Sequence, residues 1–187
     1  MTESNYPSSL VTLWYKPGQT LQGLIADGKG VNASIWTAVC FGLVHVWPSY
    51  AAGESPQPGL LLAGGALGLA GLFLFSWLLR NFSRWFGAEA KLSEVRTALG
   101  WGLLPWTVLL GLLLVIITLQ GGDASPLFPV FFAALVYGFV ILLSALSVAL
   151  RLSLMKTFFC LIVTFLVSIF PITLVIQLLT GVPGPAG

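Results

Sequence analysis

Five stretches of this chain are long and apolar enough to cross a membrane: residues 33–50, 59–79, 97–119, 127–150 and 157–180, none of which holds an Asp, Glu, Lys or Arg. A helix rises 1.5 Å per residue, so about 20 mostly apolar residues traverse the hydrocarbon core of a bilayer. In lipid, every backbone N–H and C=O must be satisfied within its own segment, which leaves the helix as the natural form for such runs. The pattern predicts an all-α integral membrane protein of five transmembrane helices. The first run is the shortest and least apolar, with Asn32 and Ser34 at its start and His45 near its end.

The connectors carry the residues that stop helices. Gly53, Pro56 and Pro58 fall in the first loop, and Gly121, Gly122 and Pro126 in the third. Gly and Pro fill five of the seven positions of the tail, 181–187. The cations then orient the chain. Lys16 and Lys29 precede the first span; Arg80, Arg84, Lys91 and Arg96 occupy the second loop; Arg151 and Lys156 occupy the fourth. Loops one and three and the tail have none, so a five-span chain places all eight cations on one side. By the positive-inside rule that side is cytoplasmic, with the N-terminus in and the C-terminus out. Trp36, Trp47, Tyr50, Trp77, Trp85, Trp101 and Trp106 fall at or near the expected span ends, where indole and phenol rings anchor at the interface.

Composition excludes several classes. Charged residues are 7% of the chain, against about a quarter in a soluble domain, so most of the surface must face lipid. A net charge of +2 with no basic run gives no footprint for nucleic acid. Cys40 and Cys160 lie inside apolar runs and read as small apolar residues, not as a disulfide. No cationic stretch precedes a short apolar core at the N-terminus, so the first helix is expected to stay in the mature protein.

Residues 1–32 are too few for a domain and are expected to form a cytoplasmic or interfacial arm. Leu21, Leu24 and Ile25 share one face of a short helix, and Leu10, Leu13 and Trp14 make a second apolar patch before Pro17-Gly18. The second loop mixes Phe82, Trp85 and Phe86 with Arg80 and Arg84, a combination suited to lipid headgroups. Within the spans, Gly64 and Gly68 form a GxxxG pair whose face Gly71 continues, and the fourth span has Ala134-xxx-Gly138 and Ala145-xxx-Ala149. Such small residues let helices approach closely, either within the chain or between copies. Pro105 in the third span and Pro171 in the fifth each remove a backbone hydrogen bond and kink the helix.

No catalytic constellation emerges. The six acids, Glu3, Asp27, Glu54, Glu89, Glu94 and Asp123, all lie in connectors, and the single histidine is His45. No carboxylate pair sits at membrane depth, and nothing is spaced as a metal-ligand set or a phosphate-cradling glycine loop. The expectation is a protein without cofactor, metal or enzymatic activity. The intramembrane polar candidates are His45, Thr164, Ser168, Thr173 and Gln177. Ion coupling usually needs a charge inside the bundle, which disfavours a proton-coupled transporter.

Several segments resemble the bacterial form of the Yip domain family, named for eukaryotic members that interact with Ypt/Rab GTPases. They are Ser83-Arg84-Trp85-Phe86-Gly87, Lys91-Leu92-Ser93-Glu94-Val95-Arg96-Thr97-Ala98-Leu99 and Leu104-Pro105, in that order. Trp14-Tyr15-Lys16-Pro17-Gly18-Gln19-Thr20-Leu21 is similar to the family's opening Pro-x-x-Thr motif, and five spans with the N-terminus inside is its layout. The resemblance covers about residues 10–180. Gly87-Ala88 stands where the family commonly has paired glycines, and the Asp-Leu-Tyr-Gly-Pro motif of eukaryotic members is absent, so Rab binding is not carried over.

The resemblance implies a non-catalytic multispanning protein of a bacterial inner membrane that organises membranes or binds partners. Pro17, Gly18, Arg84, Gly87, Glu94 and Arg96 are its candidate interaction residues. Gly64, Gly68, Pro105, Gly138 and Pro171 are the packing candidates, and His45, Ser168 and Gln177 the intramembrane polar ones. Expected partners are membrane lipids and either a membrane protein or a second copy. The alternatives are a passive conduit for lipid or a small solute, and an assembly subunit of a larger complex.

Overall fold

The computed structural model describes residues 6–28, 30–51, 58–119 and 127–180, and all regular structure among them is helical. Expectations for Lys29, for the first and third loops and for the tail lie outside the described residues, as do the side chains of Pro171 and Gln177. The helices are α1 (Tyr6–Tyr15), α2 (Pro17–Asp27), α3 (Val31–Ala51), α4 (Pro58–Ser83), α5 (Leu92–Leu119), α6 (Phe128–Leu150) and α7 (Leu154–Thr180). A 3-10 turn, Arg84–Phe86, follows α4.

Four of these, α3 to α6, are long and apolar enough to cross a membrane. With 21 residues α3 is the shortest of them, about 31 Å at 1.5 Å per residue against a hydrocarbon core of about 30 Å. A further apolar helix, α7, contributes the shorter stretch Leu154–Ile169. The expected spans align with α3 to α7, but three helices run further at their charged ends. α4 continues past residue 79 to Ser83, α5 starts at Leu92 instead of 97, and α7 starts at Leu154 instead of 157. A hydropathy window stops at the first charged residue, whereas the backbone ladder does not. Glu94, in the first turn of α5, accepts the Lys91 N–H (3.3 Å), and Ser153 Oγ accepts the Lys156 N–H at the start of α7 (3.5 Å).

Bundle packing is tightest along α3–α4 and α5–α6. A Cβ added to Gly68 would overlap the carbonyl oxygen of Ala38, and one added to Gly42 would overlap that of Gly64. Gly64 and Gly68 therefore bring α4 against α3 of the same chain, backbone to backbone. Gly138 admits the indole of Trp106, whose Nε1–H donates to the Leu135 carbonyl (3.0 Å). Pro105 is fully buried within an α5 that continues through it.

The N-terminal helices join this core. Leu13 and Leu21 are fully buried and Leu24 nearly so, in one cluster with residues of α4 to α7. Proline at the first position of α2 makes the corner after α1, and the hydroxyls of Thr12 and Thr20 hydrogen-bond across it (2.9 Å). Gly28, at φ 65°, ends α2 in the left-handed conformation. Trp101, read from the sequence as an interface anchor, is instead 1% exposed, and its Nε1–H donates to the Gly30 carbonyl (3.0 Å). Trp101 and Trp106 thus serve as struts between segments. An indole one turn into an apolar run looks the same in sequence whichever way it points.

Candidate functional site

The charged end of the bundle is built from the second loop upward. Ser83, the last residue of α4, is buried and donates its hydroxyl to the Arg80 carbonyl (2.9 Å). The 3-10 turn then closes on Gly87, whose φ of 86° only glycine adopts without strain. The Gly87 N–H reaches the Arg84 carbonyl (3.0 Å) and the Ala88 N–H that of Ser83 (3.1 Å). Ala88 and Ala90 are buried, which pins the loop to the bundle. Arg84 and Trp85 are left projecting, Trp85 being 75% exposed and packed edge-on against Phe82.

Glu94 links this loop to the fourth. Its Oε1 lies 3.6 Å from a guanidinium nitrogen of Arg151, with the Arg151 side chain 63% and that of Glu94 14% exposed. Arg151 ends α6 with φ 55°. Pro17 and Gly18 lie at the seam between α2 and α6, where a Cβ on Gly18 would meet Val148 at ordinary contact distance (3.7 Å). The arm, the second loop and the fourth loop therefore meet at one end. Among the described residues that end carries seven cations against three acids, Asp27, Glu89 and Glu94.

Two of the cations are partly covered by the bundle. Arg80 and Arg96 are half-buried, and the Nε of each is buried with no hydrogen-bond partner among the described residues. The Arg96 guanidinium lies 4.0 Å from the ring centroid of Phe73, a cation–π contact between α5 and a ring of α4 that is itself 42% exposed. Arg96, a candidate interaction residue together with Arg84, thus lies half-buried along α4, whereas Arg84 projects.

The described intramembrane polar candidates, His45, Thr164, Ser168 and Thr173, are satisfied locally. His45 is exposed, with Nδ1 2.9 Å from the Phe41 carbonyl oxygen. Thr157, Thr164 and Ser168 are buried along one face of α7. Each donates to a carbonyl four residues back, Ser168 to Thr164 at 2.6 Å. Beside this row lies a cavity of about 460 Å³ that all five long helices line, among them Phe41, Gly71, Leu103, Phe139 and Thr164. Among the described residues its wall is apolar apart from the Thr164 hydroxyl and the Trp106 indole N–H, both already donating to backbone carbonyls. Gly71, expected to continue the Gly64–Gly68 packing face, opens onto it: a Cβ there would meet no atom within 4 Å. No sequence signal separates Gly71 from Gly68, because what differs is which neighbour each one faces.

A family model described as Yip1 domain matches residues 11–176, nearly the whole of the helical structure. No curated protein and no solved structure matches the chain.

Proposed function

The chain is a membrane protein of the Yip1 domain family, and from that premise we propose that it is a non-enzymatic scaffold that engages a partner or an anionic membrane surface through its charged end. We assign it five spans, with the charged end in the cytoplasm and the C-terminus outside. The meeting of the arm and the second and fourth loops at one end, with Arg84 and Trp85 projecting from it, is the observation that carries this reading. A cation next to an exposed indole suits a surface that is charged outside and apolar just beneath, such as a headgroup layer or the rim of another membrane protein.

Arg84 is the residue to reverse, because its side chain is exposed at the edge of the bundle. With the protein in zwitterionic nanodiscs, Arg84→Glu lowers capture of anionic vesicles, or of a copurifying partner, roughly thirtyfold, since a basic residue near the surface contributes about 1 kcal/mol and reversal counts it twice. Unchanged capture by a variant that inserts normally removes the scaffold reading. The cavity favours a second reading, a passive conduit for lipid or a small solute. Lipid scrambling or solute flux in proteoliposomes at the rate of protein-free vesicles rules that out.

A further inference from the structure

The two helices of the arm turn different faces outward. On α2 the exposed positions include Gln19, Gln22 and Asp27, with Leu21 and Leu24 buried beneath them. On α1 no residue is charged. Leu13 is buried, yet Leu10, Val11 and Tyr15 on the other side are 42%, 63% and 62% exposed. Water suits the outer face of α2. It does not suit that of α1, a helix of 10 residues that would leave three large apolar side chains uncovered.

A hydrogen bond shows where α1 ends. The last four carbonyls of a helix have no partner within it. Here the Lys16 N–H takes that of Thr12 (2.8 Å), and the Tyr137 hydroxyl donates to that of Trp14. Tyr137 lies 13 residues before Leu150, the end of α6, about 20 Å along the axis. A tyrosine side chain spans little more than one helical turn, about 5.4 Å. The Trp14 carbonyl therefore sits at least about 10 Å inside the charged end of α6, within a leaflet of about 15 Å. Tyr137 is 46% exposed, beside Val136 and Val140 at 48% and 50%, so the bond lies on the lipid-facing side of α6. A carbonyl at that depth has no water to turn to, and a hydroxyl from a neighbouring helix satisfies it. The Thr12 hydroxyl is bonded too, to the Ser9 carbonyl (3.3 Å) and the Thr20 hydroxyl (2.9 Å). Gly18 is already beside Val148, near the charged end, so the Lys16 ammonium reaches the headgroups along its own stem. We propose that α1 lies within the hydrocarbon of the leaflet at the charged end, tied to α6 by Tyr137, with α2 above it at the water boundary. The face of Leu10, Val11 and Tyr15 is then a surface for acyl chains, continuous with the lipid-facing side of α6. This surface is separate from the one the scaffold reading uses, and its depth is the same whichever compartment the charged end faces.

Spin labels on the full chain in vesicles of phosphatidylcholine and phosphatidylglycerol test this, with Cys40→Ser and Cys160→Ala removing the native thiols. Single labels go on Val11→Cys, Tyr15→Cys, Gln22→Cys and, as the hydrocarbon standard, Val140→Cys. Collision with a water-soluble nickel chelate is at least about tenfold lower at positions 11 and 15 than at 22, and within about twofold of that at 140. Tyr137→Phe removes the donor to the Trp14 carbonyl and raises nickel collision at position 15 at least about threefold. Nickel collision at 11 and 15 equal to that at 22 would overturn the inference by placing α1 in water. Spin–spin broadening between position-15 labels on separate copies would overturn it as well, since a second chain and not lipid would then cover the face. An unchanged signal in Tyr137→Phe would remove the role given to that hydroxyl.

Discussion

At the charged end, where α3, α5 and α7 begin and α4 and α6 end, side chains bury one another; at the opposite end of the same helices they do not. Val95, Ala98, Trp101, Leu146, Leu150 and Cys160 are closed off at the first end. Leu112, Val115, Leu119, Phe128, Val130 and Phe132 are about half or more exposed at the second. Of the buried residues described, only Gly64 and Gly65 lie well toward the second end. There α3 and α5 stand apart around a hollow of about 390 Å³ lined by Trp47, Gly111 and Leu119. The packed half is the less apolar of the two, since the buried hydroxyls of Ser34, Ser76, Thr97, Thr157 and Thr164 are all in it. In a bilayer, apolarity marks what lipid can touch, and close packing depends on small and hydrogen-bonded residues. The arm and the two charged loops complete the packed half and leave the other to the membrane.

The sharpest break in this contrast is a side chain on the α3–α4 seam. Gly68→Leu drives its Cβ into the Ala38 backbone and is expected to cost about 3 kcal/mol or prevent folding. Gly111→Ala, whose nearest atom would be Val44 Cγ2 at 4.0 Å, is neutral or slightly stabilising. Thermal unfolding in detergent separates the two, and similar losses would mean that the halves pack alike. A smaller effect follows at the indoles. Trp101→Phe removes one of the two hydrogen bonds that the Gly30 carbonyl accepts, the Ser34 N–H keeping the other, and costs about 1 kcal/mol, whereas Trp47→Phe, at a 45% exposed site, changes stability by about 0.5 kcal/mol or less. Smallest is Glu94→Gln, which removes the link to Arg151. With one partner 63% exposed, the loss is below about 1 kcal/mol and fades as salt is raised. A larger or salt-independent loss would make the pair a structural pin.

The helices were legible because an apolar run in this composition has one stable form, and Pro17, Gly28 and Gly87 punctuate the charged end as their backbone chemistry requires. What the sequence did not show is which way residues within an apolar run face. Trp101 and Trp36 both begin apolar helices, yet one is 1% and the other 69% exposed. Gly68 and Gly71 lie on one helix a turn apart, yet a Cβ on one would meet a backbone and a Cβ on the other open space. Arg96 was legible as a cation near a span end, and its contact with Phe73 was not, because that depends on a ring from another helix. Hydropathy ranks residues for lipid against water, and in a bundle immersed in lipid it does not distinguish lipid from neighbouring helix.

Cysteine accessibility in intact cells tests the central claim, that the packed and charged end is the cytoplasmic working face. In a background with Cys40→Ser and Cys160→Ala, a membrane-impermeant maleimide should label Leu119→Cys in intact cells and Arg84→Cys only after the membrane is opened. Labelling of Arg84→Cys in intact cells, with Leu119→Cys protected, would place the charged end outside and contradict the account.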